Sequence, residues 1–501
     1  MDTLGHIFAG FGVALQPANL MYTFIGVFLG TIVGVLPGIG PTSAIALLIP
    51  ITYGMDPVSA LIMLAGIFYG TKYGGSTTAI LIRTPGEAAS VMTAIDGYEM
   101  ARKGRAGAAL AVSAIGSFIA GTIGVIGLTL LALPLASMAL LFGPAEYAML
   151  MILAMTLVAA LSGRSPGKGL LAALLGLMLA TVGIDMQSGT ARFTFGVPEF
   201  VDGIGFVIII VGVFAVAEVL RGLEGIVRGD APEVIKISGK LWLTREEWQR
   251  SVGPIWRGGI IGFIIGVLPG AGGTISAIVS YVTEKKLSKH PEQFGKGAIE
   301  GVAGPEAANN SDTAGAMVPL LTLGVPGGGS TAVLLGAFII YGVQPGPMLF
   351  QERPDLVWGL IDSMYIGNLV LLILNLPLIG LFVRLLYIPS GILFPLIALI
   401  SVIGVYGATS SVVDLYMLLA FGVIGYLFEK LDIPLAPLVL SVVLGGLLEQ
   451  SFRRALTISS GSLDIFWSSP LCITLVVLSV LSLAAPLLAP RMARYFRAEN
   501  E

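Results

Sequence analysis

Long uncharged apolar stretches recur along the whole chain, and they constrain the fold more than any other feature of the sequence. One of them, Ala106–Leu133, contains no charged residue. A helix needs about 20 apolar residues to cross the core of a bilayer. Only 11% of the residues are charged, against roughly 25% in an ordinary soluble domain. The sequence therefore predicts an all-α polytopic membrane protein with about 11–12 spans.

Two sequence motifs occur twice, in the same order. Residues 30–42 read GTIVGVLPGIGPT and residues 262–274 read GFIIGVLPGAGGT, an offset of 232 residues. A second pair follows, IRTPGEAAS at 82–90 and LGVPGGGST at 323–331. These are called the LPG and PG motifs below. Two matched pairs in one order indicate an internal duplication.

Loops at equivalent places in the two halves carry opposite charge bias. After the first LPG motif, residues 51–57 contain no basic residue, whereas residues 284–296 after the second contain four lysines. After the PG motifs the bias reverses, since residues 98–105 hold three basic residues and residues 341–355 hold one. Basic loops stay on the cytoplasmic side. The halves are therefore predicted to be two inverted repeats.

The inversion divides the chain into three predicted regions. Residues 1–221 form the first transmembrane repeat, residues 222–256 a cytoplasmic linker rich in basic residues, and residues 257–501 the second transmembrane repeat. Each arm around the second LPG motif is about a dozen residues, or roughly 18 Å of helix, too short to span about 30 Å. The LPG motifs are thus predicted as tips of re-entrant hairpins, and the PG motifs as breaks in transmembrane helices.

The hairpin tips and helix breaks are expected to share one cavity, because unwound backbone within a membrane is tolerated only where it lines a cavity or is buried in protein. N–H groups at half-helix N-termini favour anions, and carbonyls and hydroxyls favour Na⁺. A tight turn without a ligand is the alternative for any single motif. The candidate substrate- or ion-binding residues of the tips are Pro37, Gly38, Gly40, Thr42, Ser43, Gly270, Gly272, Gly273, Thr274 and Ser276. Those in or beside the breaks are Ser76, Pro85, Gly86, Pro326, Gly327, Ser330 and Thr331.

A polar segment precedes the second break. Asn309, Asn310 and Ser311 are candidates for the same site, since amides bind carboxylates through NH₂ and cations through C=O. A polar helix cap at the membrane interface is the alternative, and it is the preferred interpretation for the neighbouring Glu306 and Asp312.

Two basic residues flank the segment before the first break. Lys72 and Arg83 either contact a substrate carboxylate or extend to the interface. Arg83 is kept among the candidate site residues.

Patterns of enzymes and metal sites are not found. The sequence contains no HExxH, P-loop or GxSxG pattern, only two histidines, and the single cysteine Cys472. We therefore expect no catalytic residues, no metal site and no tightly bound cofactor.

At its motifs the sequence resembles the large membrane subunit of the tripartite tricarboxylate transporter family. The similar segments are FLGT through LPGIGP at 28–41, YGGSTTAILIRTPG at 73–86, AIDGYEMARKGRAG at 94–107, GVLPGAGGT at 266–274, PEAANN at 305–310, PLLTLGVPG at 319–327 and GVQPGP at 342–347. One departure concerns Arg83, where the family usually has Asn, so Arg83 either tunes substrate choice or faces away.

The resemblance implies a transport function. It implies a subunit that imports small carboxylates of the tricarboxylate or dicarboxylate type, driven by a Na⁺ or H⁺ gradient, in a bacterial inner membrane. The implied partners are a small four-helix membrane subunit and a periplasmic solute-binding protein. The alternatives are a stand-alone ion-coupled carboxylate carrier and, less favoured, an intramembrane enzyme or a channel.

Overall fold

The computed structural model describes residues 3–161, 165–185, 187–228, 234–237 and 239–498. Outside the described residues lie residues 1–2, 162–164 and 186 of the first predicted repeat and residues 499–501 of the second. Residues 229–233 and 238 of the predicted linker also lie outside them. The helices up to the linker are α1 Thr3–Ala14, α2 Pro17–Gly34, α3 Pro41–Leu48, α4 Pro57–Ile82, α5 Val91–Met100, α6 Ala106–Ala139, α7 Pro144–Leu161, α8 Pro166–Ala180, α9 Phe206–Ile210 and α10 Ala217–Arg228. Those after it are α11 Arg245–Val267, α12 Gly272–Leu287, α13 Glu300–Leu323, α14 Gly329–Ile340, α15 Leu349–Glu352, α16 Pro354–Asn375, α17 Ile379–Val383, α18 Ser390–Thr409, α19 Val412–Lys430, α20 Leu435–Ile458 and α21 Pro470–Ala498. The strands β1 Gly183–Ile184 and β2 Ala191–Arg192 pair antiparallel.

Local sequence explains where several helices begin. The Asp56 carboxylate accepts hydrogen bonds from the backbone N–H groups of Val58 and Ser59 and caps α4, whose first residue is Pro57. Thr244 and Glu247 form a capping box at the start of α11. Both arrangements satisfy N–H groups that a helix start otherwise leaves without a partner.

The helices have the lengths of a multi-pass membrane protein. In the described part of the chain, eight helical segments are long and apolar enough to cross a membrane. They are Pro17–Gly34, Ala88–Ala139, Pro144–Leu161, Phe206–Ile226, Pro354–Asn375, Gly391–Thr409, Val412–Lys430 and Leu435–Ile458. The prediction of an all-α polytopic membrane protein is confirmed. The predicted total of about 11–12 spans exceeds these eight segments, so further helices would have to cross as well.

The duplication recurs in the packing of the helices. Glycines on α2 contact the backbone of α4, and their counterparts on α11 contact the backbone of α13. The three contacts of the first half are Gly26 with Met63, Gly30 with Ile67 and Gly34 with Thr71; those of the second are Gly258 with Gly304, Gly262 with Ala308 and Gly266 with Asp312. The glycines are offset by 232 residues and their partners by 241, the spacing of the PG motifs. The small residues let each helix pair approach closely.

Both LPG motifs interrupt a helix in the same way. The motif between α2 and α3 contains Gly38 with φ +84°, and the motif between α11 and α12 contains Gly270 with φ +85°. The PG motifs separate α4 from α5 and α13 from α14. The contacts between the halves are reciprocal, since α3 packs on α14 while α12 packs on the 3-10 turn Ala88–Ser90 at the end of the first PG motif. Each LPG turn, called a hairpin tip below, thus meets the broken helix of the other half. The helices before the two turns, α2 and α11, are 18 and 23 residues long and not about a dozen as predicted, so a re-entrant path stays a prediction. The opposite membrane orientation of the halves stays a prediction.

Candidate functional site

The two hairpin tips and the two helix breaks enclose one polar cavity of about 330 Å³. Its backbone-rich walls are formed by Gly38, Gly40, Pro41, Thr42, Ser43, Ala88, Ala89, Gly272, Gly273, Thr274, Gly327, Gly328, Gly329, Ser330 and Thr331. The remaining wall residues are Phe68, Lys72, Glu87, Phe214, Glu218, Arg221, Asp312, Ala316 and Glu429. This volume lies within the range of small-molecule sites.

Three helices begin at the cavity wall. The first turns of α3, α12 and α14 all contribute lining residues. Thr42 in α3 and Ser330 in α14 are joined by a hydrogen bond of 3.0 Å between their hydroxyl oxygens. The Thr331 hydroxyl accepts a bond of 2.9 Å from the N–H of Gly328 and so caps α14. Helix N-termini carry unpaired N–H groups and a partial positive charge, which favours an anion among them.

A buried cation lies next to the second hairpin tip. The ammonium group of Lys72 donates to the Asn309 carbonyl oxygen at 3.0 Å, to Asn309 Oδ1 at 3.1 Å and to Asp312 Oδ2 at 3.1 Å. Ser276 in turn donates to Asp312 Oδ1 at 3.0 Å. A Cβ on Gly273 would lie 2.8 Å from Lys72 Nζ, so the absence of a side chain there leaves room for the ammonium group. Lys72 belongs to the first half of the chain, but its ammonium group lies beside the hairpin tip of the second half.

A second cation lies next to the first hairpin tip. Arg221 in α10 donates to Glu218 Oε1 at 2.6 Å, and a Cβ on Gly38 would lie 2.4 Å from Arg221 Nη2. The Arg221 side chain remains 46% exposed, whereas that of Lys72 is 3% exposed. Each tip is therefore accompanied by one cation, a deeply buried one at the second tip and an accessible one at the first.

The cavity wall contains more carboxyl groups than cations. Asp312 and Glu218 are paired with Lys72 and Arg221. Glu87 accepts a hydrogen bond of 2.6 Å from the Asn309 amide, and Glu429 also lines the wall. With all side chains ionised, two cations face four carboxylates, which leaves an excess negative charge beside the helix N-termini.

The structure brings together a part of the predicted site. Ten candidates line the cavity: Gly38, Gly40, Thr42, Ser43, Gly272, Gly273, Thr274, Gly327, Ser330 and Thr331. Ser276 and Asn309 lie one layer behind them and hydrogen bond to wall residues. Pro37, Pro85 and Pro326 lie within the motif segments, and Gly86 and Gly270 pack against other backbone, with none of the five on the wall.

Four candidates face elsewhere. The Asn310 amide donates to Ser117 at 2.7 Å, on the α6 side of α13. Ser311 is buried near Gly124 of the same helix α6, and Ser76 donates to Glu306. Arg83 is exposed at the end of α4, where its guanidinium group lies 5.6 Å from the centre of the Tyr98 ring. Arg83 therefore faces away from the cavity, one of the two alternatives considered above.

The interpretation of Glu306 and Asp312 as polar caps at the interface was wrong. Both are buried inside α13, with 0% and 2% of their surface exposed. Their residue types suggested a water boundary, but neighbouring helices provide Lys72, Ser76 and other polar partners that a single segment does not reveal.

Several wall residues were missed by the sequence interpretation. Glu87 directly follows the Pro-Gly pair within the first PG motif, at the place where the second motif has glycine. Glu218 and Arg221, three residues apart at the end of an apolar stretch, were assigned to the end of the first transmembrane repeat and not to the site. Their i, i+3 spacing, which places them on one helix face, was an available signal. No feature of the sequence near Glu429 indicated that this residue belongs to the cavity wall.

Fold and cavity together define a multi-pass membrane protein whose polar cavity is built from two duplicated helix breaks, an arrangement suited to a membrane transporter. The chain belongs to the Tripartite tricarboxylate transporter TctA family, whose model matches residues 20–440. The resemblance identified from the motifs is thus confirmed, and the family is one of transporter subunits.

Two relatives come from Agrobacterium vitis. The chain is 50% identical over 488 residues, 97% of each chain, to an uncharacterized 52.8 kDa protein in the TAR-I ttuC' 3' region. It is 46% identical over 227 residues to an uncharacterized protein in the TAR-II ttuC' 3' region, covering 45% of this chain and 94% of that one. No solved structure matches the chain.

Proposed function

We propose that this chain is the membrane-translocating subunit of a secondary transporter that imports small carboxylates with the help of a binding protein and is driven by a Na⁺ or H⁺ gradient. The observation that carries the proposal is the convergence of three helix N-termini and two cations, Lys72 and Arg221, on one cavity. Family membership supports the same class of activity.

The cavity suits a carboxylate for two physical reasons. The N–H groups at the starts of α3, α12 and α14 offer donors without bringing a full charge into the membrane. Arg221, on the accessible side of the wall, offers a planar guanidinium group that can bind a carboxylate through two hydrogen bonds. A substrate with two or three carboxylates would use both kinds of donor, which favours the tricarboxylate and dicarboxylate class.

The excess of carboxyl groups supports coupling to a cation. An anionic substrate entering among four carboxyl groups and two cations meets net repulsion in a medium of low dielectric constant. Protonation of carboxyl groups, or binding of Na⁺ beside them, removes that repulsion. Substrate and coupling cation would then enter together, which is the behaviour of a symporter.

The proposal includes the partners that the resemblance to the family implies. They are a small four-helix membrane subunit and a periplasmic solute-binding protein, and the location is the inner membrane of a bacterium. The binding protein would determine much of the substrate choice, because it would deliver the carboxylate to the cavity.

Uptake into proteoliposomes tests the proposal. The chain is reconstituted with the small subunit, with and without the solute-binding protein, and labelled citrate, succinate and phthalate are offered under imposed Na⁺ and pH gradients. We expect accumulation of at least one carboxylate that requires both a gradient and the binding protein. Accumulation without the binding protein would indicate a stand-alone carrier, and conversion of a substrate would indicate an enzyme.

An Arg221→Gln variant tests the cavity itself. Its half-saturation should rise about ten- to a hundredfold, the loss expected for one hydrogen bond to a charged group. Arg102→Gln, which removes an exposed arginine outside the cavity, should transport like the wild type.

A further inference from the structure

A buried carboxyl group lies outside the cavity wall, on α13, six residues before the wall residue Asp312. Glu306 is 0% exposed, and its two oxygens accept hydrogen bonds from the hydroxyl groups of Ser76, at 2.5 Å, and Thr93. These partners belong to α4 and α5, the helices on either side of the first PG break. Glu306 therefore ties α13 to both arms of the broken helix.

Within the described part of the chain, Glu306 forms no ion pair. Lys72 and Glu87 act on it electrostatically, but Lys72 is paired with Asp312 and Glu87 is bonded to Asn309. The hydroxyl group of Tyr73, on α4, donates a hydrogen bond to Asn368.

Two other buried charged groups on helices packed against α13 are also engaged. Glu284 on α12 is paired with Arg257 on α11, and Asp96 on α5 accepts three backbone N–H bonds from residues 295–298. Among the residues that the structure describes, no cation is therefore left to pair with a charge on Glu306, and an unbalanced buried carboxylate is costly.

The hydroxyl groups around Glu306 can hydrogen bond to an ionised carboxylate and also to a protonated carboxyl group. Such a group donates one hydrogen bond and accepts others. Ser76 can accept a hydrogen bond from the protonated carboxyl group, because its hydroxyl can then donate to a second acceptor, the Lys72 carbonyl oxygen at 3.3 Å. Protonation would thus redirect the Ser76 hydroxyl towards the α4 turn that begins with Lys72. The same two helices, α4 and α13, carry the Lys72–Asp312 pair of the cavity wall.

We propose that Glu306 binds the coupling proton of the transport cycle, at a site separate from the substrate cavity and joined to it through Ser76 and Lys72. The proposal rests on the proposed transport function and names its coupling cation. Binding adds one proton to a carboxylate oxygen and releases it later, so no other reactant is needed. Because Glu306 bridges the two arms of the broken helix, its protonation would favour one arrangement of that break over another.

Infrared difference spectroscopy of the purified protein tests the site without a substrate. The wild type should show a band of a protonated carboxyl group that appears as the pH is lowered and is missing in Glu306→Gln. The matched control Glu246→Gln, at an exposed glutamate of α11, should keep the band. Ser76→Ala should move its appearance to higher pH, because the ionised carboxylate loses a donor. Ser76→Ala keeps the carboxyl group of Glu306. If Glu306→Gln does not fold, the shift of the band in Ser76→Ala decides whether the band belongs to Glu306.

Transport provides the second readout. In the uptake assay described above, Glu306→Gln should lose accumulation driven by a pH gradient and keep carboxylate exchange at equal pH, while Glu246→Gln keeps both. An unchanged band in Glu306→Gln, or accumulation driven by Na⁺ alone in the wild type, overturns the proton assignment. If the wild type moves no carboxylate under any gradient, the transport function fails and the coupling role fails with it. The band then still decides whether Glu306 binds a proton.

Discussion

The hydroxyl oxygens of Thr42 and Ser330 lie 3.0 Å apart, and their hydrogen bond joins the first turn of α3 to the first turn of α14. It connects the hairpin tip of one half with the helix break of the other. At the equivalent contact the second tip meets Ala89, which has no hydroxyl group. The two halves therefore share their backbone arrangement, but a side-chain hydrogen bond between tip and helix break is present at one of the two equivalent contacts and cannot form at the other through Ala89.

Loss of the Thr42–Ser330 bond should weaken substrate binding. Thr42→Val or Ser330→Ala should raise the half-saturation for uptake about two- to tenfold, since one neutral hydrogen bond contributes about 0.5–1.5 kcal/mol. The double variant should be little worse than either single variant, because both remove the same bond. Thr474→Val, which alters a bond within α21 alone, is the control. Additive effects in the double variant would contradict a shared bond.

The second hairpin tip should be more sensitive than an open turn of the same conformation. Gly270→Ala and Gly54→Ala both place a side chain at positive φ, +85° and +78°, at a cost of about 1–2 kcal/mol each. The new Cβ at position 270 would also lie 2.9 Å from the backbone of Leu157 and Val158, while position 54 has open space. We expect Gly270→Ala to lose uptake and to melt at a lower temperature than Gly54→Ala. Equal melting temperatures would show that the backbone around position 270 shifts and accommodates the new side chain without further loss of stability.

Lys72 should stabilise the fold through its pairing with Asp312. Lys72→Met leaves a buried carboxylate without its partner, which costs about 3–5 kcal/mol. Combining it with Asp312→Asn should restore much of the melting temperature in detergent, since no lone charge remains. Arg102→Gln breaks an exposed ion pair with Glu99 and should cost about 0–1 kcal/mol. A double variant as unstable as Lys72→Met would show that charge balance is not the cause.

Cysteine labelling should reveal the predicted inversion. In a Cys472→Ala background, Lys289→Cys and Arg102→Cys should react with a membrane-impermeant reagent only from the cytoplasmic side, and Tyr53→Cys only from the outside. All three positions are exposed. The opposite charge bias of their loops motivates the assignment. Labelling of positions 53 and 289 from the same side would mean that the repeats are parallel.

The loop before α9 should make stability depend on pH. Hydrogen bonds from the Arg453 guanidinium group hold the pKa of Asp185 well below its usual range. A carboxyl group whose pKa is depressed in the folded protein stabilises it above the unfolded value, near 3.9, and loses this contribution as the pH falls through the folded value. Asp185→Asn should therefore lower the melting temperature at pH 7, and the difference should shrink in acid. The exposed Asp202→Asn is the control, and a difference independent of pH would argue against this pairing.

The sequence by itself determined the helical membrane class, the duplication and the two motifs that interrupt the helices. These features are local: apolar stretches set the spans, and Gly38 and Gly270 mark turns that need positive φ. Ten of the candidate residues line the cavity, and they could be predicted because they lie in or beside the duplicated motifs. Tertiary structure alone decided which charges face one another. Lys72 meets Asp312 across 240 residues of sequence, Glu306 meets Thr93 across 213, and Glu429 joins the wall from α19. A charged side chain in an apolar helix is tolerated or excluded according to its partners, and those partners are supplied by helix packing, which no single segment encodes.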